Sequence, residues 1–209
     1  MEYLAKREEW RCAIITCVIP SRTDEYFDAC LTAMEASEEG SSASVIVADN
    51  GLSPACRERW PLVAFMDYTK RHGPFVFAKA INMCAEATGR DLLVLNDDTR
   101  MVTPHWYTKL RVALVQEKAQ PFGMLSLAID GGVGNPEQRK GEYPPGYILH
   151  AYHTLCFVAT VVRREVIEKV GLLDERFVDY GFDDDDYCRR VVQAGWKLGV
   201  LNAVTVQHG

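Results

Sequence analysis

The sequence predicts an α/β domain whose mostly parallel central sheet carries helices on its faces. Three observations lead there. Short apolar runs alternate along the chain with segments of helical periodicity, the pattern of consecutive βα units. One run, Leu92-Leu93-Val94-Leu95, is apolar without alternation, as a central strand covered on both faces requires. The chain's 209 residues are 48% apolar and 25% charged, enough for the core of a single domain.

The elements follow in order. Cys12 to Ile19 reads as a buried first strand that stops at Pro20. Asp24 is placed to cap a helix in which Tyr26, Phe27, Cys30, Leu31 and Met34 recur at helical spacing. Val45 to Ala48 forms a second strand, closed by the turn residues Asp49-Asn50-Gly51. A third strand is expected around Leu62 to Met66, then a helix with Phe77, Ala78, Ile81 and Ala85 on one face. Leu92 to Leu95 is the next strand. Thr103-Pro104 supplies a cap and a first-turn proline for a helix striped by Trp106, Leu110, Ala113 and Leu114. Phe122 to Ile129 reads as a strand. From Asp130 to His153 no period holds, and a loop of that length in a compact domain is either disordered or functional. A strand at Leu155 to Val162, helices from Arg164 to Val170 and Asp183 to Ala194, and a strand near Val200 to Val206 complete the pattern.

The formal net charge is −6, which argues against non-specific nucleic-acid binding, since that rests on cations neutralising phosphates. A divalent cation would still permit one anionic small ligand. The seven cysteines are scattered, with no C-x-x-C pair, and point to a reduced, cytoplasmic setting. The apolar run from Cys12 to Ile19 is too short to span a bilayer, so a transmembrane segment is not expected. A soluble protein, or one peripheral to a membrane, is. The sequence has no G-x-G-x-x-G after a strand, no G-x-x-x-x-G-K-[ST], no G-x-S-x-G and no H-E-x-x-H. Dinucleotide oxidoreductases, P-loop NTPases, α/β-hydrolases and zincins lose their main support.

Two acidic stretches carry the chemistry. Asn96-Asp97-Asp98-Thr99 directly follows the central strand, where open α/β sheets bind ligands. Oxygen donors there suit Mg²⁺ or Mn²⁺ bridging phosphates; the competing explanation is an ordinary Asp-rich turn. Asp183-Asp184-Asp185-Asp186 opens a helix. The helix dipole accounts for one or two of these carboxylates, whereas four in a row repel unless a cation or a proton-transfer role offsets the cost. His208, after the last strand, says little by itself.

Together these stretches resemble the family 2 glycosyltransferases of the GT-A fold, in the rhamnosyltransferase-like branch. The resemblance spans nearly the whole chain and rests on order and spacing. Val18-Ile19-Pro20-Ser21-Arg22 is similar to that family's first-strand opening, and Val47-Ala48-Asp49-Asn50-Gly51 to its second-strand end. Phe77-Ala78-Lys79-Ala80-Ile81-Asn82 resembles the helix start before the metal motif, and Leu95 to Thr99 the D-x-D motif in an N-x-D-T form. Arg163 to Phe177 resembles the stretch before the acceptor-side motif. Phe182 to Tyr187 falls where the family carries its catalytic base, and His208 where many members have a metal-ligating His.

The resemblance implies a Rossmann-like single domain, with a nucleotide-binding half over about 11–100 and an acceptor and catalytic half over about 101–209. It implies an inverting transfer from a UDP- or dTDP-linked sugar to a hydroxyl of a glycan, lipid, protein or small molecule. Pro20, Ser21, Arg22, Asp49, Lys79, Asn82, Asn96 and Asp97 would bind the nucleotide. Asp98 and His208 would hold Mn²⁺ or Mg²⁺. Asp184 would be the base, with Asp183 the alternative. Tyr147, His150 and His153 lie in the irregular segment and would form a lid over the sugars. The chain departs from the pattern in three ways. Asn96 replaces the first Asp, which implies a weaker or water-mediated metal contact. Asp183 stands where Glu is more usual. Many members continue past the position of His208, which implies an acceptor site lacking a part or completed by a partner.

Two rivals stand beside this reading. A sugar-phosphate nucleotidyltransferase would want a Gly-rich phosphate loop, which Pro20-Ser21-Arg22-Thr23-Asp24 is not. A catalytically silent binding module is suggested by Asn96 and opposed by the acidic cluster together with His208.

Overall fold

The structure is a computed structural model that describes residues 15–37, 43–141, 143–178 and 181–209. Its first half contains β1 (Ile15–Ser21), α1 (Asp24–Ala36), β2 (Ser44–Asp49), α2 (Pro54–Arg59), β3 (Ala64–Asp67), α3 (Tyr68–His72), α4 (Phe77–Glu86) and β4 (Asp91–Leu95). The second half adds β5 (Thr99–Met101), α5 (Trp106–Leu114), β6 (Phe122–Gly131), β7 (Ile148–Ala151), β8 (Ala159–Val162), α6 (Arg164–Val170), α7 (Asp183–Gln193) and β9 (Lys197–His208).

The strands form one sheet in the order β3-β2-β1-β4-β8-β6-β9-β5, with β7 also paired to β9. From β3 to β4 all pairings are parallel, as βα units dictate. β8 then runs antiparallel to both β4 and β6, β6 and β9 are parallel, and β5 and β7 lie antiparallel against opposite ends of β9. The parallel character is therefore concentrated in the first half.

β4 shows why its sequence is apolar throughout. Leu93 and Leu95 join Phe27, Leu31, Trp106 and Leu110 in one core, while Leu92 and Val94 join Ile81, Cys84, Tyr187 and Val191 in another. Successive side chains leave opposite faces of a strand, and each buried leucine stabilises the fold by about 1.5–3 kcal/mol. Among the described residues no helix is long and apolar enough to cross a membrane.

Several boundaries differ from expectation. Residues 12–14 of the predicted first strand lie outside the described residues. Leu62 is 95% exposed and the third strand begins two residues later, at Ala64. Asp24 is the first helical residue and not the cap; its Oδ1 accepts from the Ser53 amide at 2.9 Å, tying α1 to α2. Thr103 does not cap α5, which begins after His105 in the left-handed region (φ 55°). Its hydroxyl instead accepts from the Thr205 amide at 2.8 Å, anchoring β9.

Residues 130–153, expected to be irregular, carry more secondary structure than the sequence suggests. β6 continues through Gly131, Ile129 bridges to Arg139, a 3-10 turn covers Pro136–Gln138, and Ile148–Ala151 pairs with Leu198–Leu201. These parts of the segment are tied into the sheet. The alternation that would have marked it as strand is too short to read.

Candidate active site

β4 ends at Leu95 and the chain turns through Asn96-Asp97-Asp98 into β5. The turn is pinned on both sides: the Asn96 amide donates to the Val158 carbonyl at 2.9 Å, and Thr99 Oγ1 donates to the Asn96 carbonyl at 2.6 Å. Asp97 is drawn towards β1, where it accepts from Ser21 Oγ at 2.6 Å. Burial pushes its carboxyl up, the Ser21 bond opposes that shift, Asp98 adds to it, and the Arg22 charge opposes it further. Pro20 and Ser21 are buried and Arg22 is exposed.

Asp98 points the other way. The antiparallel register of β5 on β9 sets Thr99 opposite His208, which brings His208 Nε2 to 3.4 Å from Asp98 Oδ1. That oxygen is buried and accepts no hydrogen bond, a costly state for a carboxylate oxygen in isolation. The other ring nitrogen, Nδ1, bonds to the Gly132 carbonyl. A carbonyl only accepts, so Nδ1 donates to Gly132, and Nε2 is the ring nitrogen turned towards Asp98. The backbone at Gly131 (φ 130°) passes against the His208 carbonyl so closely that a Cβ would collide with it.

The buried carboxylate oxygen and the second imidazole nitrogen are a hard donor and a nitrogen donor 3.4 Å apart, a pair whose chemistry fits Mn²⁺ or Mg²⁺. Among the described residues no group of three or more His, Cys, Asp or Glu is placed to hold a metal. A cation there would draw its remaining ligands from a bound phosphate group and water.

The nucleotide-side residues do not all stand free. Asp49 is buried; its Oδ1 accepts from the Gly51 and Leu52 amides, each at 2.9 Å, and its Oδ2 lies 2.5 Å from Arg57. It stabilises its own turn, and Arg57 stands beside it. Asn82 is a correction. It is buried, its Nδ2 donates to the Leu173 carbonyl at 2.9 Å and to Glu175 at 3.0 Å, and its Oδ1 accepts from the Leu173 amide at 2.9 Å. With its amide so engaged it fastens the segment before α7 and does not face a nucleotide. Lys79, one helical turn earlier, is half-buried and forms no ion pair among the described residues.

The four aspartates of α7 have different surroundings. Asp186 pairs with Arg190 at 2.7 Å, and Arg190 reaches the Leu172 carbonyl at 3.0 Å; this pair is structural. Asp185 is exposed. Asp183 is buried, and burial pushes its carboxyl up. Asp184 is half-buried and pushed up to about 6, by burial first and by the charge of Asp183 second. The chain enters the helix through Phe182 at φ 70°, a left-handed conformation that is uncommon for a bulky residue.

Asp184 and Asp185 both act electrostatically on the thiol of Cys156, and Gly134 lies against that thiol. Gly132, two residues before Gly134, is the partner of His208. The Asp98–His208 pair and the α7 carboxylates are therefore linked by one short stretch of chain. Tyr147, His150 and His153 belong elsewhere. Tyr147 stacks on Tyr143 at 5.1 Å, His150 packs against Phe122 and Tyr152, and His153 is 3.6 Å from Glu137. None of them bonds to Asp98, Asp184 or His208. Sequence reading missed Gly132, Gln138 and Cys156; the Gly131-Gly132 pair before a long irregular segment was the available signal.

No protein-family model matches the chain. It is 24% identical over 144 residues to the uncharacterized protein y4gI of Sinorhizobium fredii, a match over 59% of this chain and 16% of that protein. Among solved structures it is similar to GalNAc-T7 with UDP, GalNAc and Mn²⁺, at TM-score 0.69 and 14% identity over 93% of this chain and 43% of that one. It is similar to the mannosyltransferase PcManGT from Pyrobaculum calidifontis with GDP-Man and Mn²⁺, at TM-score 0.67 and 16% identity over 99% and 63%. Staphylococcus aureus TarS gives TM-score 0.67 and 13% identity over 93% and 36%. The chain spans less than two thirds of each of these proteins. At such identities the likeness concerns architecture, and the architecture is that of the GT-A-type glycosyltransferases.

Proposed function

We propose that this chain is the catalytic domain of a metal-assisted, inverting glycosyltransferase that takes its sugar from a nucleoside diphosphate, in the manner of family 2 and its rhamnosyltransferase-like branch. The observation that carries the reading is the Asp98–His208 pair, with a buried oxygen that accepts no hydrogen bond and an imidazole whose Nε2 faces it at 3.4 Å. Structures of this architecture have been solved with UDP or GDP-Man together with Mn²⁺.

In this reading Asp98 and His208 would hold Mn²⁺ or Mg²⁺, which when bound would supply charge neutralisation for the departing diphosphate. The carboxyl ends of β1 and β2, with Arg22 and Arg57, together with Asn96 and Lys79, would receive the nucleotide. An acceptor hydroxyl attacks the anomeric carbon opposite the phosphate oxygen. The new C–O bond forms as the old one breaks, and the hydroxyl proton passes to Asp184. A carboxylate held at about 6 is a stronger base than an ordinary one and remains mostly ionised at neutral pH. Asp183, more deeply buried, stands behind it.

Calorimetric titration of UDP, dTDP and GDP with and without Mn²⁺ tests the reading. At least one nucleotide is expected to bind more tightly with the metal. Equal affinity in EDTA sinks the metal-bridged site, and binding without slow hydrolysis of any matching nucleotide sugar favours the silent module.

A further inference from the structure

The stretch from Gly132 to Gln138 joins the two parts of the site, and the reaction outlined above does not use it. At its near end the Gly132 carbonyl is bonded to His208 Nδ1. At its far end Gln138 is fully buried. Gln138 Oε1 accepts from the Cys156 amide at 2.7 Å, while Nε2 donates to the Cys156 carbonyl at 3.0 Å and to Ser126 Oγ at 2.8 Å. One side chain thus satisfies both backbone groups of a single residue, as a neighbouring strand would. Asn135, also buried, donates to the Thr154 carbonyl, and its Oδ1 accepts from the Glu137 amide at 3.0 Å.

Beyond Cys156 the connection enters α7. The Leu155 amide donates to Cys188 Sγ at 3.3 Å, and that thiol donates to the Leu155 carbonyl at 3.7 Å. Between Asp98–His208 and Asp184 there is therefore a continuous path: Gly132, Gly134, the Gln138 clasp on Cys156, Leu155, Cys188. Asp130 and Lys140 at the foot of the stretch pair on the surface at 3.2 Å and take no part in it.

We propose that Gln138 is a positioning residue for sugar transfer, whose double clasp on Cys156 fixes how far the Asp98–His208 pair stands from the carboxylates that open α7. The proposal rests on the glycosyltransferase reading. In-line displacement needs the leaving diphosphate and the attacking oxygen held at once, and a misplacement of about 1 Å costs about 10²-fold in rate. Without Gln138 the Cys156 amide loses its partner and the Cys156 carbonyl keeps only Thr160 Oγ1, at 3.0 Å, which favours separation of the two segments.

Three variants test this: Gln138→Met, the isosteric Gln138→Glu, which sets a carboxylate against the Cys156 carbonyl, and Ser126→Ala, which leaves both Cys156 bonds intact. The probes are hydrolysis of UDP-GlcNAc, dTDP-rhamnose and GDP-mannose, UDP affinity with Mn²⁺, and alkylation of Cys156 by iodoacetamide read by peptide mass spectrometry. All are measured well below each melting temperature. For both Gln138 variants the expected result is a kcat lower by about tenfold or more, with KM and Mn²⁺-dependent UDP affinity at wild-type values and faster Cys156 alkylation. Ser126→Ala should stay close to wild type in every probe. A folded Gln138→Glu with fast alkylation and unchanged kcat overturns the proposal. So does a loss of kcat, KM and nucleotide affinity that follows melting temperature across all three variants. Wild-type protein that neither binds UDP with Mn²⁺ nor hydrolyses any donor overturns the reading beneath it, a failure distinct from one confined to the variants.

Discussion

Asp98 and Asp184 each sit in a run of acidic or amide side chains at the end of a strand or the start of a helix, and the fold treats them differently. Asp98 has a buried oxygen with no donor and an imidazole nitrogen beside it at 3.4 Å. Asp184 has the opposite situation: its Oδ1 accepts from the next amide of its own helix at 2.9 Å, and its neighbours are carboxylates and a thiol. The first environment leaves a carboxylate oxygen without a hydrogen-bond donor and suits a cation. The second resists negative charge and suits a proton. Residues of one type in a run thus acquire different surroundings from the register of the elements around them, here β5 on β9 and the entry to α7.

The largest effect that would break this contrast is on turnover. Asp184→Asn keeps size and hydrogen-bond acceptance but cannot take a proton, so transfer or donor hydrolysis should fall by about 10²–10⁴-fold. Mn²⁺-dependent nucleotide affinity should be unchanged. Asp185→Asn, altering an exposed group, should leave the rate near wild type. If Asp183→Asn proves the more damaging change, the two carboxylates exchange roles; if all variants in the run lose rate equally, no base lies there.

The next effect is on affinity. Asp98→Ala and His208→Ala should each remove most of the Mn²⁺-dependent gain in nucleotide binding, on the order of 10–100-fold, the scale of disturbing a metal's ligand environment. Asn96→Ala should matter less, because the contacts seen at Asn96 are made by its backbone. An Asp98→Ala protein that binds nucleotide equally well with Mn²⁺ and with EDTA, at wild-type strength, would show that the pair is merely a surface contact.

Much of the fold was legible because it depends on local pattern. β4 announced itself by its unbroken apolar run, and α1 and α4 by their spacing, since burial on a helix face imposes that period. The second half was harder. β7 is four residues long and exists because β9 lies beside it, a non-local cause that no window of sequence contains. The turn residues 96–98 and the run 183–186 could be singled out by type and position, and the family resemblance implied a metal at Asp98 and a base at Asp184, but the surroundings that distinguish them arise from non-local pairings. Asn82 misled for the same reason: a buried amide that clasps Leu173 and one that faces a nucleotide look identical in sequence. Gln138 gave no signal at all, because its partners, Ser126 and Cys156, lie on other segments.

The smallest effect sharpens the contrast through stability. Asp184 is held at about 6 against an ordinary 3.8, with Asp183, Asp185 and Cys156 facing it. As pH rises the unfolded chain releases this proton first, so the group's contribution to stability falls between about pH 4 and pH 6 and stays low above it. A shift of that size corresponds to about 3 kcal/mol for a fully buried group, and partial exposure lowers it to about 1–2 kcal/mol. Asp184→Asn removes the ionisation. Measured without metal or nucleotide, it should melt about 3–6 °C above wild type at pH 7 and coincide with it at pH 4. Asp186→Asn should do the reverse at pH 7, losing its 2.7 Å pair with Arg190 and about 1 kcal/mol or less. Calorimetry across pH 4–7 distinguishes the two. Parallel curves for wild type and Asp184→Asn would mean that Asp184 is an ordinary carboxylate, and the contrast with Asp98 would then reduce to geometry alone.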